Sequence, residues 1–405
     1  MNGTTTIPPR STATLDTVNG DLEMGKHSTV RPSLAQTKIT VLGTIHCEGD
    51  NTFECNVLAE NFEAEDTVKI LGDLEIKDSV EIEDGNLEVH GNMISKKVDV
   101  DRTLHVTKDF TATEVEVGGS MRIEGKTGAE AIEVGGTLEA DGETTAKTIE
   151  AGGTITIKSA AHIESLEAGG SATVAGGRIN EVDVGGTFES NSPLEFETID
   201  VGGTVRLRGD SKGKRIEVGG SFKIEGDLTF EVIDVGGFVE IKGLASGEQM
   251  EVGGLVDIEG SLKLTGTLEV GGKVQASGQI DAENIEVGGT LQADKVVAEE
   301  DVEVGGSIRT HKGVLARKVE IGKRGEVEGP ISAEEVIVGK DARVKDIFGK
   351  NVLLRSGAEA ENIHGENITL ESDCQVNGDV SYSNTLRVDK GVSLARTPQR
   401  TEKLQ

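Results

Sequence analysis

Apolar residues along this chain fall in pairs with one residue between them. In the segment from Ile216 they are Ile216 and Val218, Phe222 and Ile224, Leu228 and Phe230. In the segment from Met250 they are Met250 and Val252, Val256 and Ile258, Leu262 and Leu264. Neighbouring side chains on a strand point to opposite faces, so apolar-polar-apolar triplets predict short strands with one buried side. Counting the first apolar residue of a unit as position 1, the pairs occupy positions 1 and 3, 7 and 9, and often 13 and 15. Each unit therefore predicts three short strands and three corners. A helical reading fails, because no apolar face with a period of about 3.6 persists.

The unit repeats. Following an apolar-acidic-apolar triplet, the dipeptide Gly-Gly begins at 118, 135, 152, 169, 185, 202, 219, 236, 253, 271, 288 and 305, in steps of 17 with single steps of 16 and 18. Val319 and Val336 open units without the second glycine, and Val352, Ile368 and Leu386 open later ones. Before residue 115 the triplets persist without Gly-Gly, as in Ile39/Val41, Ile45/Cys47, Leu74/Ile76 and Leu104/Val106. Intervals of 11 residues, 57 to 68 and 104 to 115, predict the loss of one face. Leu22/Met24 reads as the first triplet and Val392/Leu394 as the last.

Three strands per unit, repeated without a break, bury their apolar side only by stacking turn on turn. The expected fold is all-β: a single-stranded parallel β-helix, or β-solenoid, of triangular cross-section and right hand, with about 20 coils of ~17 residues. At about 4.8 Å per stacked strand that predicts a rod of roughly 100 Å. The expected organisation is a flexible tail over 1–17, coils without Gly-Gly over 18–114, the regular repeat over 115–395, and a flexible tail over 396–405.

Composition fits this reading. The chain has 405 residues, 55 of them glycine, with nine Phe, one Tyr and no Trp. A narrow core of stacked Val, Ile, Leu and Ala has little room for rings. The glycine pairs predict a corner that needs positive φ or a crowded backbone. A rival reading makes the bare glycine column a groove for a partner.

Charge adds a second pattern. Lys and Arg number 41 against 72 Asp and Glu, a net −31. Position 2 is acidic in thirteen successive units: Glu116, Glu133, Glu150, Glu167, Asp183, Asp200, Glu217, Asp234, Glu251, Glu269, Glu286, Glu303 and Glu320. Alternation turns them outward, so they predict an acidic ladder on one face. One reading is a solvated face that keeps the protein soluble. Another is a surface that binds divalent cations weakly, or a basic partner. The same charge repels phosphate backbones and anionic lipid, so neither nucleic acid nor a direct lipid contact is an expected partner.

Catalytic signals do not emerge. No HxH, HxxxH or HExxH spacing occurs among the seven histidines, and no GxSxG or P-loop is present. Cys47, Cys55 and Cys374 follow no metal or redox spacing, and Cys47 and Cys374 fall at inward positions. The expectation is a protein that is not an enzyme and holds no cofactor. The odd cysteine count and the absence of an apolar signal core in Met1 to Thr17 point to a cytoplasmic location, with membrane proximity unsupported by the tails.

The ends complete the picture. Solenoids present unpaired strand edges, which soluble monomers cover with caps. Neither flank here reads as a cap, so the end coils, near Leu22, Met24, Leu386 and Val388, are the expected polymer contacts. Tandem triplets such as IEVGG, GDLEIKDSVEIEDG and VNGDV, with short flanks, resemble the bactofilins, polymer-forming cytoskeletal proteins, and are similar to their archaeal relatives, the halofilins. The likeness spans roughly residues 16 to 395. It implies a right-handed triangular β-helix and nucleotide-free, non-polar filaments joined through their ends. It also implies a cytoplasmic scaffold for cell shape or protein positioning, with itself and protein clients as partners and a tail that touches membrane. This chain departs from the pattern in its longer solenoid and in an N-terminal tail without an anchor. Phe348 and Tyr382 lie near the C-terminal end, but neither is assigned the family's aromatic polymer contact. Two rivals are an extracellular β-solenoid adhesin or surface protein, and a left-handed β-helix acyltransferase or carbonic anhydrase. The latter needs histidines that converge between coils.

Overall fold

A computed structural model describes residues 3–401. Every regular element in them is a β-strand, and none is a helix. The chain divides into two compact units, Met1–Gly203 and Thr204–Gln405. Each is a stack of parallel strands, and together they make about 23 turns of a β-solenoid.

In the first unit each strand pairs with the strands one turn before and after it. Glu114–Val117 lies between Lys97–Val100 and Ala131–Val134, with Val98↔Val115 and Val115↔Ile132 in register. Ser120–Ile123 lies between Thr103–Val106 and Thr137–Ala140. Phe110–Thr111 lies between Met93–Ile94 and Thr127–Gly128. The second unit repeats the arrangement, with Arg215–Val218 on Val232–Val235, Ser221–Glu225 on Phe238–Ile241, and Leu228–Thr229 on Ala245–Gly247. Three strands per turn follow in both units.

Alternation explains the core. Val115 and Val117 are buried while Glu116 between them is exposed. Register stacks inward residues into columns such as Val98, Val115, Ile132, Ile149 and Leu166. Each such side chain contributes about 1.5–3 kcal/mol through burial. Five phenylalanines, Phe53, Phe62, Phe110, Phe188 and Phe222, are fully buried. Phe53 and Phe62 meet edge to face at 5.7 Å.

Glycine pairs occupy the corner after the ladder strand, as expected, but one of the two expected causes is absent. At this corner none of the paired glycines has positive φ; the pair that does, Gly176-Gly177, lies at another corner. Crowding is the cause. A Cβ on Gly135 would lie 2.2 Å from the Gly118 carbonyl oxygen, and one on Gly152 would lie 2.4 Å from that of Gly135. Stacked corners approach too closely for any side chain, and the Gly135 amide donates to the Val117 carbonyl at 2.8 Å.

The structure departs from the sequence reading in three places. Residues 1–17 are not a free tail: Thr5–Ile7, Thr12–Thr14 and Thr17–Val18 form a turn that pairs with the next one. At the other end Gln399–Arg400 pairs with Ser381–Tyr382. Positions 1–2 and 402–405 of the expected tails lie outside the described residues. Threonine and alanine in these triplets hid the alternation, although β-branched residues suit a pleated surface. Finally, no face is lost at 57–68 or 104–115, because the strands Asn61–Ala64 and Phe110–Thr111 fill them.

Candidate functional site

The acidic ladder forms in register. In the first unit Glu116, Glu133, Glu150, Glu167, Asp183 and Asp200 pair in succession. The column also runs further back than the Gly-Gly frame indicated, through Asp99, Glu81 and Glu63. These three sit in the same apolar-acidic-apolar triplets, Phe62-Glu63-Ala64, Val80-Glu81-Ile82 and Val98-Asp99-Val100, so the signal was present without the glycines. His46 precedes them and pairs with Glu63 at 2.9 Å.

In the second unit Glu217, Asp234, Glu251, Glu269, Glu286, Glu303 and Glu320 pair in succession. Glu217 is half-buried beside Arg215, and Glu320 is half-buried with Lys318 at 2.9 Å. The column then loses its charge, passing through Ile337, Leu353 and Thr369 to Arg387.

The neighbouring face is built differently. Its outward column mixes signs, and Arg122 binds Glu139 and Asp141, while Lys158 binds the same two carboxylates from the next turn. Hydrogen bonds from Lys158 and Arg122 hold the Glu139 carboxyl below the usual range. Lys223 and Glu240 pair at 3.0 Å. By contrast Glu133, Glu150 and Glu167 form no ion pair among the described residues.

Stacked carboxylates one strand apart repel by roughly 1 kcal/mol per pair in water. Salt screens this over about 8 Å at physiological ionic strength. Raising NaCl from about 20 mM to about 500 mM is therefore expected to raise the melting temperature by several degrees. A midpoint that ignores salt would show that the ladder stores no repulsion. Among the described residues no group of three His, Cys, Asp or Glu converges as a metal site.

The residues that carry chemistry elsewhere are occupied in the stack. His27, His105 and His311 each face one carboxylate, of Asp50, Glu124 and Asp294. His364 stacks on Phe348 at 5.0 Å, on an outward column in which Phe348 is exposed. Cys47, Cys55 and Cys374 are free and buried. Burial pushes the Cys47 and Cys374 thiols up and the Cys55 thiol up to about 11. The Cys374 thiol also donates to the Arg355 carbonyl at 3.2 Å. A thiol probe at neutral pH is expected to find none of the three until the protein unfolds. Stoichiometric labelling of the native chain would contradict that placement. A depression of about 620 Å³ near the first turn is lined by fifteen residues, six of them glutamates, with Thr6, Pro8, Pro9, His46 and the buried Cys47 beside them.

The ends differ from the sequence expectation and from each other. Leu22 and Met24 are not at an end: both are buried, and their strand lies between Thr5–Ile7 and Thr44–Cys47. They cannot carry a polymer contact, because a further turn covers them. Ile7 and Val18 of that first turn are themselves buried. At the C-terminal end Leu386 and Val388 do lie on the last turn. Thr385 to Val388 pair with Asn367 to Leu370 on one edge. Among the described residues no strand takes the other edge. Val388 is 44% exposed, and Leu386 and Leu394 are half-buried.

No family model matches the chain, and no curated protein or solved structure matches it.

Proposed function

We propose that this chain is a non-enzymatic structural protein that assembles with copies of itself, without nucleotide, through the ends of its stack. The product is a filament or scaffold that supports cell shape or positions other proteins. The observation that carries this reading is the open C-terminal turn. Among the described residues nothing pairs with the outer backbone edge of Thr385–Val388, and Leu386, Val388 and Leu394 leave apolar surface beside it. Such an edge is a template for another chain, and burial of those side chains would stabilise the joint. The likeness of the repeat to the bactofilins supports the same reading, and the cytoplasm is the proposed location.

Sedimentation velocity across a concentration series tests it. Wild type is expected to form species that grow with concentration. Val388→Arg, which would bury an unpaired charge in the joint, is expected to weaken assembly at least about tenfold. Thr156→Lys, on an outward column beside Glu139 and far from either end, is expected to assemble as wild type does. Wild type that stays monomeric throughout, or Val388→Arg that assembles normally, would overturn the proposal.

A further inference from the structure

In the second unit some strands run through a corner instead of stopping at it. Val314–Ile321, Ile331–Val338, Arg343–Leu354 and Glu359–Leu370 are continuous there and pair in register. Ile347 and Val352 are both buried yet five residues apart, which alternation on a straight strand forbids, so the strand bends between them. Small residues stack at the bend, in the column Ala316, Ala333, Gly349 and Gly365. They leave a depression of about 380 Å³ on the outside of the stack. The first unit bends the same way in Thr144–Ala151 and Ala161–Ala168, but its depression has polar and charged walls, with Thr145, His162 and Arg178 in one column. The bend is general, and the lining is particular to each unit.

An open aromatic face distinguishes the second depression. One wall is the outward column Leu315, Ser332, Phe348 and His364. The Phe348 and His364 rings lie parallel within 9°, with centroids 5.0 Å apart. The other face of Phe348 is turned towards Ser332, whose side chain is too short to cover it, and Leu315 stands beyond. Phe348 is 40% exposed and Leu315 47%. These two residues are two strand steps apart, about 9.6 Å. A planar ring entering at the level of Ser332 would lie about 4.8 Å from Phe348, within the range that ring pairs favour. That repeats the spacing already made by His364, and Leu315 would close the other side. Across the depression Glu334 pairs with Lys350, while the exposed Glu366 forms no ion pair among the described residues.

We propose that this slot takes one aromatic side chain of a partner protein, whose neighbouring Lys or Arg meets Glu366. The slot is one ring deep, and the spare carboxylate on a chain of net −31 selects a basic flank. A second copy fits less well. It brings the same negative charge, it has no Trp and one Tyr, and Phe348 is the one phenylalanine among the exposed large apolar residues described. The inference rests on the positioning of other proteins proposed above and names where one docks. It does not depend on joining through the ends.

A chain without Trp lets a tryptophan peptide report its own binding. The probe is acetyl-Gly-Lys-Trp-Lys-Gly-amide, titrated with the full chain at physiological ionic strength and read by fluorescence anisotropy and emission maximum. The expected result is a saturable rise in anisotropy with a blue shift, for which the same peptide with Ala in place of Trp does not compete. Phe348→Ala removes one wall and Ser332→Phe fills the slot, so each is expected to weaken binding at least about fivefold. Ser332→Phe adds a ring to the stack, and it carries the test if Phe348→Ala fails to fold. Glu366→Gln is expected to reduce the preference for Lys over Gln flanks about twofold. Absence of saturable binding, or wild-type binding by the folded Phe348→Ala and Ser332→Phe variants, would overturn the proposal. Equal competition by the Ala peptide would overturn it in favour of diffuse acidic attraction. Displacement of the peptide by cellohexaose would assign the slot to a sugar, and altered sedimentation of Phe348→Ala without peptide would assign it to a second copy; either overturns the proposal. Sedimentation of wild type reads end-to-end assembly separately: peptide bound by a monomeric chain would support the slot and remove only assembly, and polymers that ignore the peptide would do the reverse.

Discussion

Ile224→Asp is expected to destabilise the second unit by several kcal/mol and to open the turns around it. Ile224 is 1% exposed, in the strand Ser221–Glu225, between Leu207 on one side and Ile241 on the other. The change removes about 2–3 kcal/mol of apolar burial and places a carboxylate where no base or donor column reaches. A carboxylate without a partner in such a core costs several kcal/mol, even after relaxation and water entry. Damage in a stack is local, since each turn touches only its neighbours. Limited proteolysis is therefore expected to cut near Leu207 to Ile241 before distant turns are lost, and circular dichroism to show an earlier, broader melt. Thr229→Asp, which points outward on the same turn, is expected to stay within about 0.5 kcal/mol of wild type. Equal melting of the two variants would mean that Ile224 does not face the core.

The glycine column gives the second large effect. A Cβ on Gly236 would lie 2.5 Å from the Gly219 carbonyl oxygen, which belongs to backbone and cannot swing aside. The corner must shift, lengthening the bond from the Gly236 amide to the Val218 carbonyl, now 3.0 Å. Gly236→Ala is expected to cost about 1–3 kcal/mol, the usual range for overpacking. The same change at Gly253 adds a similar loss, because its Cβ would meet the Gly236 oxygen at 2.4 Å. Gly128→Ala is the control: the nearest atoms are 3.9 Å and 4.0 Å away and its φ is ordinary. It is expected to be neutral or slightly stabilising, through a less flexible unfolded chain. Chemical denaturation of the three single variants reads the difference directly, and a neutral Gly236→Ala would contradict the crowding account. Loss of assembly in a glycine-column variant would accordingly report lost packing, and would not by itself reveal a partner groove.

Much of this fold was legible because its signal is local and repeated. A strand of three residues with two inward Val, Ile or Leu states its own orientation, and a step of 17 states its neighbours. Legibility failed where inward positions are filled by residues that also suit water. Thr5 and Ala13 concealed the first turn, and with it the burial of Leu22 and Met24. Phe62 and Ala64 were missed because their turn lacks the Gly-Gly marker that set the frame. The same dependence on glycine cut the acidic column short at Glu116, although Glu63, Glu81 and Asp99 continue it. The division of the chain at Gly203 left no mark in the repeat, which runs through that residue unchanged.

Electron microscopy of the purified full-length chain in negative stain tests the central claim most directly. If the open C-terminal turn accepts a second copy, the grid will show unbranched filaments without added nucleotide. They will lengthen as protein concentration rises, and Val388→Arg will shorten them to single particles. Wild-type fields containing only single-chain particles at every concentration would contradict the account.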